Sequence, residues 1–353
     1  MNCDSLSEKI FAGERVTPSE ALLLWRGLSL PELGALGDAV RWRKHPERIV
    51  TYIVDRNINY TNVCDVFCDF CAFSRKEGAP DAYVLTTEQV GEKIRELTAI
   101  GGAQILLQGG HHPSLTLDYY LNLLEFIRKN FPQVNIHGFS PPEFCHFAKV
   151  FRMPVEDVLK KFKAAGLGSI PGGGAEILVE SVRGKVSPLK CPAEDWLRVM
   201  EIAHGIGLRS SATMMFGHVE TLEDRVEHLR QLRELQDRTR GFTAFIGWTF
   251  QPSNTRLGGA SAGVDDYLRT LAVARIFLDN FANVQSSWVT QGAQIGQVAL
   301  TFGANDLGSV MMEENVVASA GTTFRMEEAT MQRLIREIGC EPRRRDNWYE
   351  LLN

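Results

Sequence analysis

The chain of 353 residues lacks any apolar run long enough to cross a bilayer. It also lacks a basic excess. Lys and Arg number 38 against 43 Asp and Glu, and the net charge of −5 excludes the electrostatic footprint of a nucleic-acid binder. The opening residues, MNCDSLSEKIFAGERV, have no apolar centre of the kind a secretory signal needs. Cysteine is sparse, seven in all, and its spacing supports no disulfide framework. Cys3, Cys145, Cys191 and Cys340 stand apart and read as incidental thiols. No repeat, low-complexity run or linker divides the chain. The expectation is a cytoplasmic protein with neither membrane nor nucleic acid as partner. Its composition, 44% hydrophobic and 23% charged, is ordinary for a globular protein, and its length suits two average domains or one large α/β barrel.

What is there begins with the other three cysteines. Residues 57–73, NINYTNVCDVFCDFCAF, hold Cys64, Cys68 and Cys71 in a C-x3-C-x2-C spacing, after an extended apolar run at 50–54. Three thiolates on one short loop bind soft iron but leave a four-ligand site one ligand short. A structural zinc loop is the alternative, with Asp65, Asp69 or a distant His as the fourth ligand. The spacing, on a loop after a first strand, resembles the radical S-adenosylmethionine superfamily. That resemblance implies a 4Fe–4S cluster on Cys64, Cys68 and Cys71. It also implies S-adenosylmethionine chelating the fourth iron, and a 5′-deoxyadenosyl radical from its reductive cleavage.

Residues 5–48 read as two or three short helices. Thr17-Pro18-Ser19-Glu20 is a helix start, with Ala21, Leu22, Leu24 and Trp25 forming an apolar face. A second helix covers 31–42 and opens on Pro31. Strands are expected at 50–58, 103–108, 134–139, 168–171, 209–216, 242–250, 284–289 and 297–302. Helices are expected at 86–100, 117–131, 155–165, 193–206, 221–238, 265–281 and 326–338; in the first, Val90, Ile94, Leu97 and Ile100 share a face. The alternation predicts a TIM-type (β/α)8 barrel, an α/β fold, at 49–353 with a C-terminal helix, and an N-terminal helical extension at 1–48. A six-unit partial barrel with an α/β extension is the rival.

A barrel enzyme carries its chemistry at the C-terminal ends of its strands. Those ends read TNVCDVFCDFC, QGGHHP, HGFSPPE, PGGGAE, FGHVE, FQPSNT, WVTQG and FGANDLGS. Any one alone is turn chemistry; the full set along one rim points to a site. Phe70 could pack on adenine or sit under the loop as core. Gln108, Gly109 and Gly110 could let a backbone carbonyl approach the methionine portion of a ligand, or only turn the chain. Glu176 follows three glycines and could accept bonds from ribose or ammonium, or favour a helix start. Gly217 could approach adenine or ribose. His111-His112 carries no assigned role.

Together, DRNINYTNVC, CDFCAF, ILLQGG, IHGFSPPE, PGGGAEIL, ATMMFGHVET, FQPSNT and GANDLGS resemble the cyclic dehypoxanthine futalosine synthase family, of the futalosine route to menaquinone, over about residues 10–340. Aminofutalosine synthase and the tyrosine-using subunit of deazaflavin synthase share parts of the pattern. The resemblance implies a nucleoside substrate that loses hydrogen from its sugar carbon 4′ and closes onto the benzoate ring, with loss of an electron and a proton. The last proton calls for a rim base, Asp306 first, with Glu143 and His218 as other candidates and bulk solvent as the alternative sink. The benzoate carboxylate could meet Arg56, Arg183 or Arg256, which could equally be salt-bridged surface residues, or Ser140, Thr290 and Gln291. Gln251, Ser253 and Asn254 could read the sugar hydroxyls or equally only shape a turn. The implied electron donor is of flavodoxin or ferredoxin type. A non-catalytic metal-binding or electron-transfer protein is the reading from another class; it has no use for so many open strand ends.

Overall fold

The computed structural model describes residues 3–352. Ten strands form one all-parallel sheet: β1 Ile49–Ile53, β2 Asp55–Asn59, β3 Gln104–Gln108, β4 Asn135–Gly138, β5 Ser169–Ile170, β6 Arg209–Phe216, β7 Phe242–Thr249, β8 Asn283–Gln285, β9 Asp306–Ser309 and β10 Glu341–Arg344. β1 and β2 are one stave, broken only at Val54. Along a strand, successive carbonyls point to opposite edges. Tyr52 O and Val54 O accept from Arg345 N (2.9 Å) and Ala103 N (3.4 Å) on one edge. Ile53 O and Asp55 O accept from Val310 N (3.0 Å) and Met312 N (3.4 Å) on the other. The first stave thus borders both β3 and β9, and the ring closes with eight staves. β10 is an extra strand beneath β3 beside β1. The expected (β/α)8 barrel is the observed fold.

Helices form where the start signals stand. Thr17 caps Pro18–Gly27: Glu20 N donates to Thr17 Oγ1 at 3.3 Å, and Thr17 N donates to Glu20 Oε2 at 2.7 Å. The N-terminal helices lie along the flank of the barrel, against Leu222–Thr239 and Val264–Phe277. Gly37 lets the backbones touch there, since a Cβ would stand 2.7 Å from Phe302 O. In Thr87–Ala99, Val90, Ile94 and Leu97 are fully buried, each worth about 1.5–3 kcal/mol of transfer free energy. Ile100 departs from that face; it lies beyond the last turn and is 48% exposed.

The sequence pattern misplaces the last two staves. β8 is only three residues long, and Trp288–Gln291 and Ala293–Ala299 are helices where strand was expected. Short apolar runs such as IGQVALTF carry either period. The last stave is β9, in the stretch read as a strand end at the rim, because a carboxylate in it has an internal partner described below. Two further helices follow rim stretches: Pro141–Phe151, in which Pro141 takes the first position, and Glu180–Val186.

Candidate active site

The cysteine loop leaves the barrel at the C-terminal end of β2 and is pinned on three sides. Cys64 N donates to Arg75 O (2.9 Å), Asp65 N to His111 O (3.1 Å) and Asp69 N to Val186 O (2.9 Å). Arg256 reaches back to Asp69 Oδ1 at 2.7 Å, and Leu257 N donates to Asp69 O at 2.8 Å. Cys64, Cys68 and Cys71 all line one cavity of about 220 Å³. Burial pushes the Cys68 thiol up to about 12; Lys190 opposes this, while Glu176 and the other two sulfurs add to it. A cation held among these thiols would reverse that preference.

Gln108, Gly109, Gly110, Phe70 and Glu176 line the same cavity. The glycines are there for close approach. A Cβ on Gly110 would stand 2.1 Å from Val63 O, and one on Gly109 2.5 Å from the Tyr60 ring. Glu176 adopts a left-handed φ of 42° and is ion-paired with Lys190, whose ammonium lies 4.9 Å from the centre of the Phe70 ring. Burial alone would lower the Lys190 ammonium, but Cys68 and Glu176 beside it hold it above its ordinary range. Lys190 was not legible in the sequence: PLKCP matches no motif. Gly217 does not reach the cavity. It sits at φ 86° in the turn after β6, its N–H donating to Glu220 Oε1 at 2.6 Å.

The expected bases are committed elsewhere. Asp306 is fully buried within β9, not at the rim. It receives Arg345 Nε at 2.5 Å and Nη2 at 2.9 Å, and Thr51 Oγ1 at 2.5 Å. Glu143 does line the cysteine cavity, but four donors occupy it. Tyr60 Oη (2.8 Å) and Gly109 N (3.1 Å) reach Oε1; Ser140 N and Oγ, each at 2.7 Å, reach Oε2. Burial raises this carboxyl and those donors oppose the rise. It is the scaffold joining the end of β3 to the helix after β4. His218 accepts from Val219 N at Nδ1 (2.8 Å) and donates to Met215 O from Nε2 (3.1 Å).

A second cavity, of about 290 Å³, fills the barrel interior from Arg345 and Tyr349 up to Trp248 and Thr290. The two cavities share Gln108, Gly173, Trp248 and Val316 as a common wall. Of the expected substrate residues, Thr290 lines the barrel cavity and Ser140 lines the cysteine cavity. Gln251 lines a smaller pocket beside Phe70 and Cys71, its amide donating to Thr249 O at 3.1 Å. Asn254 lies in an exposed left-handed turn (φ 60°) and donates to Ser319 O at 3.0 Å, outside all of these cavities. Gln291 donates to Thr249 Oγ1 at 2.6 Å and is likewise outside them. The arginines are spent: Arg56 on Glu313 (2.8 Å), Arg183 on Ala175 O (2.7 Å) and Cys191 O (2.6 Å), and Arg256 on Asp69.

The barrel cavity brings together polar groups that the sequence reading passed over. Asp55 accepts from Gln104 Nε2 at 3.2 Å and from the Ser309 hydroxyl. Asn135 bridges Gln104 Oε1 and Ser169 Oγ, each at 3.0 Å, and His137 Nδ1 meets Ser169 Oγ at 2.8 Å. Burial raises the Asp55 carboxyl and pushes His137 down to about 3. Their only early signal was alternation: residues 55, 104 and 137 sit at inward positions of staves whose strand pattern was recognised.

Comparison with known proteins agrees with this geometry. The chain is 44% identical over 353 residues to cyclic dehypoxanthine futalosine synthase of Halalkalibacterium halodurans, covering 100% of this chain and 95% of that protein. It is 46% identical to the protein of the same name in Streptomyces coelicolor, over 98% and 88% of the two lengths. Residues 58–232 match the radical SAM superfamily. The chain belongs to the radical SAM superfamily. Within it, residues 239–353 match the CofH/MqnC C-terminal region. Aminodeoxyfutalosine synthase of Thermus thermophilus is 39% identical, over 98% of this chain and 94% of that one. Methylornithine synthase shares the fold, with a TM-score of 0.76 at 18% identity over 96% and 97% of the two chains. As a radical SAM enzyme the chain calls for a 4Fe–4S cluster and S-adenosylmethionine, and the donor set fits: three thiols in one cavity, walled by glycines where a side chain would intrude. No described helix is long and apolar enough to cross a membrane.

Proposed function

We propose that the chain converts dehypoxanthine futalosine to cyclic dehypoxanthine futalosine in menaquinone biosynthesis. The observation that carries this reading is the shared wall between the cysteine cavity and the barrel cavity at Gln108, Gly173, Trp248 and Val316. A hydrogen-abstracting centre made in one would lie next to a substrate held in the other. Similarity along the full chain to two synthases of that name selects the nucleoside.

Cys64, Cys68 and Cys71 would hold the cluster. Gly109, Gly110, Phe70, Glu176 and Lys190 would cradle S-adenosylmethionine. Once bound, the two would supply hydrogen-abstracting radical chemistry directed at the sugar. The barrel does the rest by orientation, since such a centre attacks whichever carbon–hydrogen bond is nearest. Trp248 and Thr290 stand where the barrel cavity nears this wall and would position the nucleoside. Ring closure must shed one proton and one electron from the aromatic ring; the electron would return to the oxidised cluster on Cys64, Cys68 and Cys71, balancing the one spent on cleaving S-adenosylmethionine. In place of Asp306, the proton acceptor is Asp55, which lines the cavity with Gln104 and Ser309 fixing its two oxygens. A cytoplasmic flavodoxin- or ferredoxin-type carrier would supply the reducing electron.

The test is anaerobic turnover of cluster-loaded protein with reductant, S-adenosylmethionine and dehypoxanthine futalosine, read by mass. A product lighter by two hydrogens, formed with 5′-deoxyadenosine, supports the assignment. Turnover of tyrosine with 5-amino-6-(D-ribitylamino)uracil, and none of the nucleoside, overturns it. Cys68→Ala should lose both the cluster and cleavage of S-adenosylmethionine.

A further inference from the structure

Beside the cysteine loop, at the edge of the cavity that holds the three thiols, the ends of three neighbouring staves present a set of donors that the reaction above leaves unused. Asp65 lies on the cysteine loop after β2, His111 on the loop after β3, and His146 on the helix Pro141–Phe151 after β4. One ligand atom from each lies within 4.8 Å of the other two. We propose that Asp65, His111 and His146 form a second metal site for a divalent first-row ion of the zinc or ferrous class.

The chemistry of the three groups fits that ion. Two imidazoles and one carboxylate on one side of a site suit borderline metals and leave the remaining positions to water. Hard ions such as Mg²⁺ and Ca²⁺ prefer all-oxygen sets. A histidine ligand is normally oriented by a hydrogen bond from its other ring nitrogen. His146 has that bond: Nε2 donates to His112 O at 3.0 Å, which leaves the Nδ1 lone pair as the one available to an ion. The two rings lie 5.0 Å apart at 34°, and both histidines are only 9% exposed. The backbone under them is already tied, since Asp65 N donates to His111 O at 3.1 Å. Asp65 itself is exposed, so its carboxylate can swing to close the gap to the roughly 3–3.5 Å ligand spacing of a tetrahedral zinc shell.

An ion here would clamp the cysteine loop to the ends of β3 and β4. His111 also lines the cysteine cavity, so the clamp would fix one of its walls. The second site would therefore govern how firmly that loop is held, through bonds separate from the three thiols.

The experiment is equilibrium dialysis of cluster-loaded protein against Zn²⁺ under anaerobic conditions, with metal analysis and zinc-edge X-ray absorption. The expected result is one zinc per chain beyond the cluster iron, with nitrogen and oxygen neighbours and no sulfur. Asp65→Asn, at an exposed position that leaves packing alone, and His146→Ala should each weaken binding at least about tenfold, in line with the loss of a metal ligand or its orientation. Failure to bind zinc, sulfur neighbours that move the ion to the cysteines, or unchanged affinity in both variants would overturn the site. Each outcome is independent of which substrate the enzyme turns over.

Discussion

Arg345 lays its guanidinium against both oxygens of Asp306, at 2.5 and 2.9 Å, and so ties the segment after β10 to the floor of the barrel. Both groups are nearly or fully buried, at 4% and 0% exposure. Removing one partner strands a charge in a poorly solvated interior, at a cost of about 3–5 kcal/mol. Asp306→Ala should therefore lower the denaturant midpoint sharply. Replacing both residues with apolar ones of matched size should recover most of the loss. If the single variant instead unfolds like the parent and only turnover falls, Asp306 is a catalytic group after all.

Lys190 offers a different separation of effects. Its side chain is 10% exposed and that of Glu176 5%, and the pair sits in the cysteine cavity without being a sulfur ligand. Lys190→Met removes the ammonium and leaves Glu176 unpaired. Iron and sulfide content should hold near the parent level while affinity for S-adenosylmethionine falls at least about tenfold, the equivalent of about 1.4 kcal/mol. Calorimetry on cluster-loaded protein measures this. Parent-like affinity would remove Lys190 from the cradle.

How much of this was legible beforehand depends on whether the determining contact is local. Cys64, Cys68 and Cys71 announce themselves within eight residues. The capping pair Thr17 and Glu20 is equally local, and the cap forms where it was expected; the glycines at 109 and 110 stand in the cavity wall. Asp306 was misread because Asp, Asn and Gly disfavour strands; what makes β9 a strand is Arg345, 39 residues further on. Lys190 was missed because its partner Glu176 is set by the fold. Asp55 and His137 lie inside expected strands, where no spacing distinguishes a cavity residue from a core one.

Acid should unfold the protein through histidines held neutral. Burial pushes both His137 and His228 down to about 3, against an ordinary value near 6.5. Between those values the unfolded chain binds protons that the native one refuses, so stability is complete above about pH 6.5 and falls as the pH drops toward 3. Each histidine contributes a slope of about 1.4 kcal/mol per pH unit within that window. Denaturant midpoints taken from pH 7 to pH 5 should fall accordingly, and His137→Gln should flatten the decline by about one histidine's share. A profile that stays level to pH 5 would mean that these rings protonate in the native state.

Gly110 tests whether the close approach of two backbones, rather than the thiols alone, sets the cluster loop. A Cβ there would stand 2.1 Å from Val63 O and 2.9 Å from Cys64 Cβ, and neither neighbour is a flexible side-chain end. Gly110→Ala must push the cysteine loop away from the end of β3, at about 1–3 kcal/mol of overpacking. The barrel is built elsewhere and should keep its fold. Iron and sulfide per chain should fall well below parent after anaerobic reconstitution, with the far-ultraviolet circular dichroism unchanged. Gly184→Ala is the matched control, because a Cβ at Gly184 meets nothing within 4 Å. If Gly110→Ala loads its cluster as fully as that control does, the loop tolerates displacement, and the position of Cys64 is fixed by its hydrogen bond to Arg75 O instead.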